Sequence, residues 1–286
     1  MYPSKEIAQR VSTILEEMRP WIVSLSTIKW TPSDGSLPLI YRGILRRQFD
    51  CLHCILGMVE QAQGYAAAPL LRAACEEILW VKYLRKLAPE DAEHLVVLIA
   101  QSELNDSLSV QAAYAGPEAM EFLGLSTYFR RSTAVRLRVT ADLKALGKKL
   151  AWPKRATESG QLPGVSFIAR AVGMKREYDF LYHGSSRYVH FSIAELLRRA
   201  WGKSGEVTVG SAHFTEYWGA FAAFWGVNLF LNAHNEIAPL LLSEDEIPDT
   251  NAEAILKAAK ELGEIGQVPL ITQEELAWDT EKFVAG

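Results

Sequence analysis

A short polar segment, YDFLYHGSSRYVHFS at residues 178–192, holds the residue types best suited to chemistry in this chain. Residues four apart share a face of a helix, so one stripe of this segment would combine tyrosine, serine and histidine side chains. That stripe consists of Tyr178, Tyr182, Ser186 and His190. A core helix would repeat leucine, isoleucine and alanine there instead. The segment therefore predicts a polar role, either proton transfer or a hydrogen-bonded structural cluster.

A second candidate is the apolar helix LLRAACEEILWVKYL at residues 70–84, which carries Arg72 and Glu76 one turn apart. A buried charge without a partner is costly, so this pair needs partners if the helix faces a core. We therefore expect Arg72 and Glu76 to meet Tyr182, Ser186 and His190 in space. The alternative is a weak ion pair on an exposed helix face.

Other chemistries have weaker signals. Ser186 and His190 have the types of a nucleophile and its base, but the chain has no G-x-S-x-G elbow. A metal site built from Glu76, His183 and His190 remains an alternative, since facing helices often supply such ligands, but the paired E-x-x-H motifs of di-iron proteins are absent. The C-x-x-C of Cys51 lies in an apolar helical run without a second such motif. The sequence predicts no bound metal and no cofactor.

Charge is unevenly distributed along the chain. The 286 residues are 49% apolar and 22% charged, with a formal net charge of −4, which argues against a general nucleic-acid coat protein. Residues 130–155 nevertheless hold nine basic side chains against one acidic one, a pattern that can face a polyanion. The predicted nucleic-acid contacts are Arg130, Arg131, Arg136, Arg138, Lys148 and Lys149. A solvated helix face balanced by an acidic tail is the alternative interpretation.

Apolar residues recur at three- and four-residue spacing along most of the chain, so we predict a single all-α domain of about eight to ten helices. Its main helices are predicted at 39–63, 67–87, 89–115 and 215–237. The other segments predicted for residues 1–286 are an N-terminal helix and loop at 1–36, a first helical half at 37–150, an exposed loop at 151–164, a second helical half at 165–262 and an acidic tail at 263–286.

Localisation and assembly follow from composition. The N-terminus lacks an apolar signal-peptide core, and three cysteines fit a reducing compartment, so the sequence predicts a cytoplasmic protein. The most apolar run, 217–231, is too short to span a membrane and is predicted to be a buried helix. Eight tryptophans, ten tyrosines and eleven phenylalanines favour a homo-oligomer, because aromatic side chains are enriched at interfaces. RNA or another protein is the predicted partner, and no membrane is involved.

Two motifs together resemble a known family. An R-x-x-x-E helix followed by a Y-x-x-x-S-x-x-x-H-x-S segment is similar to bacterial domain-of-unknown-function family 5677. The matching residues are Arg72, Glu76, Tyr182, Ser186, His190 and Ser192. The resemblance covers about residues 39–238 and implies an all-helical, mostly uncharacterised protein. Its general style is similar to helical proteins found near phage-defence and toxin genes.

A looser resemblance is to the HEPN ribonucleases, whose signature is an arginine, four to six further residues and a histidine. Arg176 and His183 have that spacing, but Glu177 stands where asparagine, histidine or aspartate is usual. The resemblance implies metal-independent RNA cleavage in a dimer. Histidine would move protons and arginine would stabilise the phosphorane. The candidate catalytic residues are His190, His183, Arg187 and Arg176.

Taken alone, the sequence favours a non-enzymatic interaction or regulatory component of a bacterial defence or toxin-type system, in which the polar stripe is structural. The alternatives are a HEPN-like ribonuclease or RNA-binding protein and a metal-dependent helical-bundle site.

Overall fold

The computed structural model describes residues 4–25, 28–190, 192–203, 205–241, 249–266 and 268–273. Helices account for most of this part of the chain, which confirms the predicted all-α class. The α-helices are α1 Ser4–Glu16, α2 Arg19–Ser24, α3 Leu37–Glu60, α4 Gly64–Ala67, α5 Leu70–Arg85, α6 Pro89–Phe122, α7 Ser126–Lys149, α8 Lys154–Ser159, α9 Val165–Ala171, α10 Lys175–Val189, α11 Ile193–Arg198, α12 Thr215–Leu241 and α13 Asp249–Ile265. Short helices such as α4, α8 and α11 bring the number above the eight to ten predicted, because a single turn leaves no periodic signal.

Two other elements are short. A 3₁₀ helix spans Pro32–Asp34. Strands β1 Ala200–Lys203 and β2 Glu206–Val209 pair antiparallel, with Trp201 opposite Thr208. No helix among the residues that the structure describes is both long and apolar enough to cross a membrane.

The chain divides into two compact units. Unit 1 contains the described residues of 1–29, 40–81 and 174–286, and unit 2 contains 30–39 and 82–173. The predicted polar stripe and Arg72 both belong to unit 1, whereas the predicted basic segment belongs to unit 2.

Helix α12 forms the centre of unit 1. Its residues 217–223 are all buried, as expected for a helix that is apolar on every side. The Phe230 ring of α12 packs 5.6 Å from the Phe49 ring of α3, measured between centroids. Gly226 lets α3 approach closely, since a Cβ there would lie 3.1 Å from Ile55 Cδ1. This central packing holds the helices that carry the polar residues.

The N-terminal helical segment is divided near Pro20. Helix α1 ends at Glu16 and α2 begins at Arg19, so that Pro20 lies in the first turn of α2. A proline is tolerated there because its missing N–H would have no helical partner.

In unit 2, helices α6 and α7 pack against each other along their length. Helix α6 runs beyond its predicted end at residue 115, but Gly116 interrupts it with φ +79° and ψ 171°. The predicted exposed loop at 151–164 needs correction, because it contains α8 and a buried Trp152. Trp152 Nε1 donates a hydrogen bond of 2.8 Å to Tyr83 Oη, which anchors the start of a segment in which many other residues are exposed. The predicted acidic tail lies outside the described residues from 274 onward.

Candidate functional site

Arg72 of α5 connects the two predicted parts of the site. Its Nε donates a hydrogen bond of 3.1 Å to Glu76 Oε1, one turn along the same helix. Its guanidinium carbon lies 4.8 Å from the centroid of the Tyr182 ring on α10. Its Nη1 lies 3.4 Å from His190 Nε2. The structure thus brings together Arg72, Glu76, Tyr182 and His190, which we call the Arg72 cluster.

Two tyrosines of α10 pack side by side next to Arg72, and the ring of Tyr182 lies under the guanidinium. The rings of Tyr178 and Tyr182 lie 5.4 Å apart, and Tyr178 is buried. Burial, together with the nearby Glu76 carboxylate, raises the pKa of Tyr178, so its hydroxyl stays protonated. An arginine over an aromatic face gains cation–π attraction, and this face also restricts its rotation.

The side chain of His190 lies at the end of α10. Its backbone N–H donates to Ser186 O over 3.0 Å, and its own φ and ψ of −109° and 159° are extended. The helix therefore ends here, and the imidazole is exposed. Because a guanidinium has only donors, its hydrogen bond to His190 requires an unprotonated Nε2. In that tautomer Nε2 is the proton acceptor of the ring, and here its lone pair accepts from Arg72.

The Arg72 cluster is accessible to a solute. The side chains of Arg72 and Glu76 are 32% and 29% exposed. The hydrogen bond that Arg72 donates to Glu76 raises the pKa of Arg72, which stays cationic. One edge of the guanidinium is thus held by a carboxylate while the Nη1 edge faces an exposed imidazole. This arrangement suits an anion that carries an ionisable hydroxyl, since it offers a fixed cation beside a proton acceptor.

The two predicted serines differ in position. Ser186 Oγ is buried with no hydrogen-bond partner among the described residues. Ser192 stands at the N-cap of α11, where its hydroxyl accepts a bond of 3.4 Å from Glu195 N. Ser192 therefore stabilises a helix terminus, and its contact is with α11.

The remaining catalytic candidates lie elsewhere on α10. Arg176 and His183 are both exposed and two helical turns apart, roughly 10 Å along the axis. The side chain of Arg187 lies outside the described residues. None of the contacts seen in the Arg72 cluster involves Arg176.

The basic residues predicted to face a polyanion all lie on α7 and are exposed. Lys149 is the member with a carboxylate neighbour, since its Nζ lies 2.5 Å from Asp91 Oδ1. Arg130 donates to Thr127 Oγ1 over 3.4 Å. Over the described residues, Arg131, Arg136 and Arg138 form no ion pair, so their charge is available to a partner.

The geometry gives the metal-site alternative no support. Arg72 lies between Glu76 and His190, and its positive charge would oppose a cation there. Across the part of the chain that the structure describes, no group of three or more His, Cys, Asp or Glu side chains is placed to hold a metal ion.

Sequence reasoning missed one surface. Tyr178 was predicted in the stripe, and the structure adds that its ring packs against that of Tyr182. The exposed rings Tyr114 and Phe122, on either side of the Gly116 interruption, were not recognised as a surface. The sequence pattern that could have indicated this surface is the Gly116–Pro117 pair, which interrupts a polar helix between two aromatic residues.

The fold and the site define an all-helical protein with a half-exposed arginine–histidine cluster formed between two helices. Residues 39–207, more than half of the chain, match the family of unknown function DUF5677, and the chain belongs to that family. The match contains both helices of the Arg72 cluster. No curated protein and no solved structure was found to match the chain.

Proposed function

We propose that the protein acts on RNA in the cytoplasm and that the Arg72 cluster binds and cleaves a phosphodiester without a metal ion. The observation that carries this proposal is the 3.4 Å approach of Arg72 Nη1 to His190 Nε2 at an accessible position. This pairing supports the proposal because cleavage of a phosphodiester needs a cation for the phosphoryl oxygens and a proton acceptor for the neighbouring hydroxyl.

The reaction is transesterification within the RNA strand. His190 takes the proton from a ribose 2′-hydroxyl, and the 2′-oxygen forms a bond to phosphorus while the bond from phosphorus to the 5′-oxygen breaks. The same proton is returned from His190 to the departing 5′-oxygen. The products are a 2′,3′-cyclic phosphate and a 5′-hydroxyl. Arg72 stabilises the negative charge that builds up on the phosphoryl oxygens.

Glu76 and Tyr182 serve to position the guanidinium. Glu76 holds the Nε edge, and the Tyr182 ring supports the plane, so the Nη atoms keep their direction as charge develops. A fixed donor contributes more than a mobile one, because it needs no reorganisation in the transition state. The likeness of Arg176 and His183 to the HEPN spacing is compatible with RNA as substrate. Those two residues lie outside the contacts that carry this proposal.

The test is incubation of the purified full chain with single-stranded RNA, with and without EDTA. We expect cleavage that EDTA does not prevent and product strands that end in a 2′,3′-cyclic phosphate. Arg72→Ala should lower the rate roughly 100-fold, and His190→Ala should lower it by at least as much. His94→Ala, an exposed histidine of α6, is the matched control. Full activity in folded His190→Ala, or no cleavage by the unaltered chain, would contradict the proposal.

A second candidate function is a non-enzymatic component of a bacterial defence or toxin-type system that assembles with a second copy of itself. It is favoured by three exposed apolar side chains on α11, directly after the polar segment: Ile193, Leu196 and Leu197. Contiguous exposed apolar surface commonly marks a protein interface. In this function the Arg72 cluster is structural, so His190→Ala lowers the unfolding temperature and no RNA is cut. Light scattering at micromolar concentration should then give a dimeric mass, and Leu196→Ser with Leu197→Ser should give a monomeric one.

A further inference from the structure

Unit 2 exposes aromatic rings where α6 turns into α7. The side chains of Tyr114 and Phe122 are 94% and 91% exposed, and that of Tyr128 is 62% exposed. Single exposed apolar residues are ordinary, but three rings within fifteen residues of a helical hairpin indicate a binding surface. Tyr114 and Phe122 are almost fully exposed, so little of either ring is used in packing within the protein.

The same hairpin contains a cavity, and the interruption of α6 lies in its wall. Gly116 adopts φ +79°, which favours glycine, and Pro117 follows it and cannot supply a backbone N–H. The cavity has a volume of about 530 Å³ and lies between α6 and the start of α7. Its walls include Gly116, Pro117, Met120, Glu121, Phe129 and Arg130. That volume lies within the range of small-ligand pockets and is large enough for a nucleobase.

The charges next to the cavity match a phosphate backbone. Arg131 and Arg138 are seven residues apart on α7 and therefore share one face of it, where both are exposed without an ion pair among the described residues. Arg130 lies in the cavity wall itself, and so does Glu121, whose carboxylate can accept hydrogen bonds from the amino groups of bases. Exposed aromatic rings on the same hairpin as exposed arginines are the combination found in single-strand binding sites.

We infer that the tip of the α6–α7 hairpin is a binding site for single-stranded RNA. Bases stack on Tyr114, Phe122 and Tyr128, one base enters the cavity, and the α7 arginines contact phosphates. The inference rests on the proposed RNA function and adds the substrate class. A duplex does not fit this role, because its stacked pairs hide the base faces that the exposed rings would contact.

The test is fluorescence anisotropy of the full chain with labelled 2′-O-methyl RNA, which has no 2′-hydroxyl and is not cleaved by the proposed reaction. The strand is offered alone and annealed to its complement, over a range of salt concentrations. We expect the single strand to bind at least about 10-fold more tightly than the duplex. Tyr114→Ser with Phe122→Ser should weaken single-strand binding by roughly 10-fold or more and remove most of that preference. The control is Leu256→Ser, an exposed apolar residue of α13.

The charge variant separates backbone contacts from stacking. Arg131→Gln with Arg138→Gln should weaken single strand and duplex alike. It should also reduce the slope of log affinity against log salt by about 1.4, since each phosphate contact on a single strand contributes about 0.7. Lys5→Gln with Lys260→Gln makes the same change in net charge at exposed sites of α1 and α13 and should leave the slope unaltered.

Several results would overturn the inference. One is equal affinity for duplex and single strand, and another is normal RNA binding by the aromatic variant. A third is an unaltered chain that binds no RNA but self-associates through Tyr114 and Phe122, which would reassign the surface to protein contacts. Cleavage without any effect of these variants on binding would remove this inference and leave the proposed function intact. If the variants weaken RNA binding but the unaltered chain cleaves no RNA, the inference stands and the proposed function is contradicted.

Discussion

Gly64 lies directly against the backbone of Gly219. A Cβ atom on Gly64 would come 2.3 Å from Gly219 N and 2.5 Å from Gly219 Cα. Helices α4 and α12 therefore meet with no side chain between them, at the centre of unit 1. A Cβ on Gly219 would in turn come 2.8 Å from Ser4 Oγ of α1, so one glycine pair brings three helices together.

Replacing Gly64 with alanine should destabilise the protein. The added methyl group would have to displace backbone atoms, and overpacking of this kind costs about 1–3 kcal/mol. Urea unfolding followed by circular dichroism measures the change. Gly43→Ala is the control, because Gly43 is an exposed position of α3 with no atom within 4 Å of its added Cβ. That change should instead stabilise the helix by about 0.5–1 kcal/mol. Equal effects at the two sites would show that α4 and α12 do not meet at Gly64.

Replacing Tyr182 tests whether its ring positions Arg72. Tyr182→Leu removes the aromatic face under the guanidinium, and a cation–π contact at a partly exposed site contributes about 0.5–1 kcal/mol. The proposed RNA cleavage should therefore slow roughly 2- to 5-fold. Tyr182→Phe retains the face and should keep most of the activity. A phenylalanine variant as slow as the leucine variant would assign the role to the hydroxyl group instead.

The three free cysteines should differ sharply in reactivity. Burial raises the pKa of Cys51 to about 11 and that of Cys75 to about 12, so neither forms much thiolate near neutral pH. Cys54 is exposed. A thiol-reactive disulfide reagent should label one cysteine rapidly in the native protein and all three after unfolding. Cys54→Ser should abolish the rapid phase. Rapid labelling of two cysteines in the native protein would contradict this prediction, because only Cys54 is exposed among the three.

Acidification should destabilise the fold partly through His234. Its ring is buried against Trp21, with centroids 5.3 Å apart, and burial lowers its pKa. Above the ordinary histidine pKa of about 6.5 neither state binds the proton, so His234 has no effect on the pH dependence there. Below it the unfolded chain takes up a proton that the folded chain resists, so stability falls as the pH falls. Burial lowers the pKa of His53 as well, so both histidines act in the same direction.

His234→Phe keeps a ring beside Trp21 and removes the proton site. Urea unfolding at about pH 7.5 and about pH 5.5 should show a smaller loss of stability in the variant than in the unaltered chain. Some loss should remain, because His53 is unchanged. An identical loss in both proteins would mean that His234 is as accessible to protons when folded as when unfolded.

Local pattern was enough to predict the helical class and much of the candidate site. The helical spacing of apolar residues depends on neighbours within a few turns, and so does the pairing of Arg72 with Glu76 one turn away. Short helices such as α8 were not predicted, because one or two turns repeat too few positions to show a period. Helix α8 and the buried Trp152 within the loop predicted at 151–164 were not foreseen, and the hydrogen-bond partner of Trp152, Tyr83, is 69 residues away in the chain.

Only the tertiary structure decided which polar residues meet. Arg72 and His190 are 118 residues apart in the chain, and no local pattern states that α5 and the end of α10 pack together. The same holds for Ser192, which belongs to the motif but caps α11. Tyr114 and Phe122 are of residue types common in cores, yet both are exposed, on either side of the helix interruption at Gly116. Periodicity along a chain determines which side chains share a face, whereas the partner of that face is set by the packing of the whole fold.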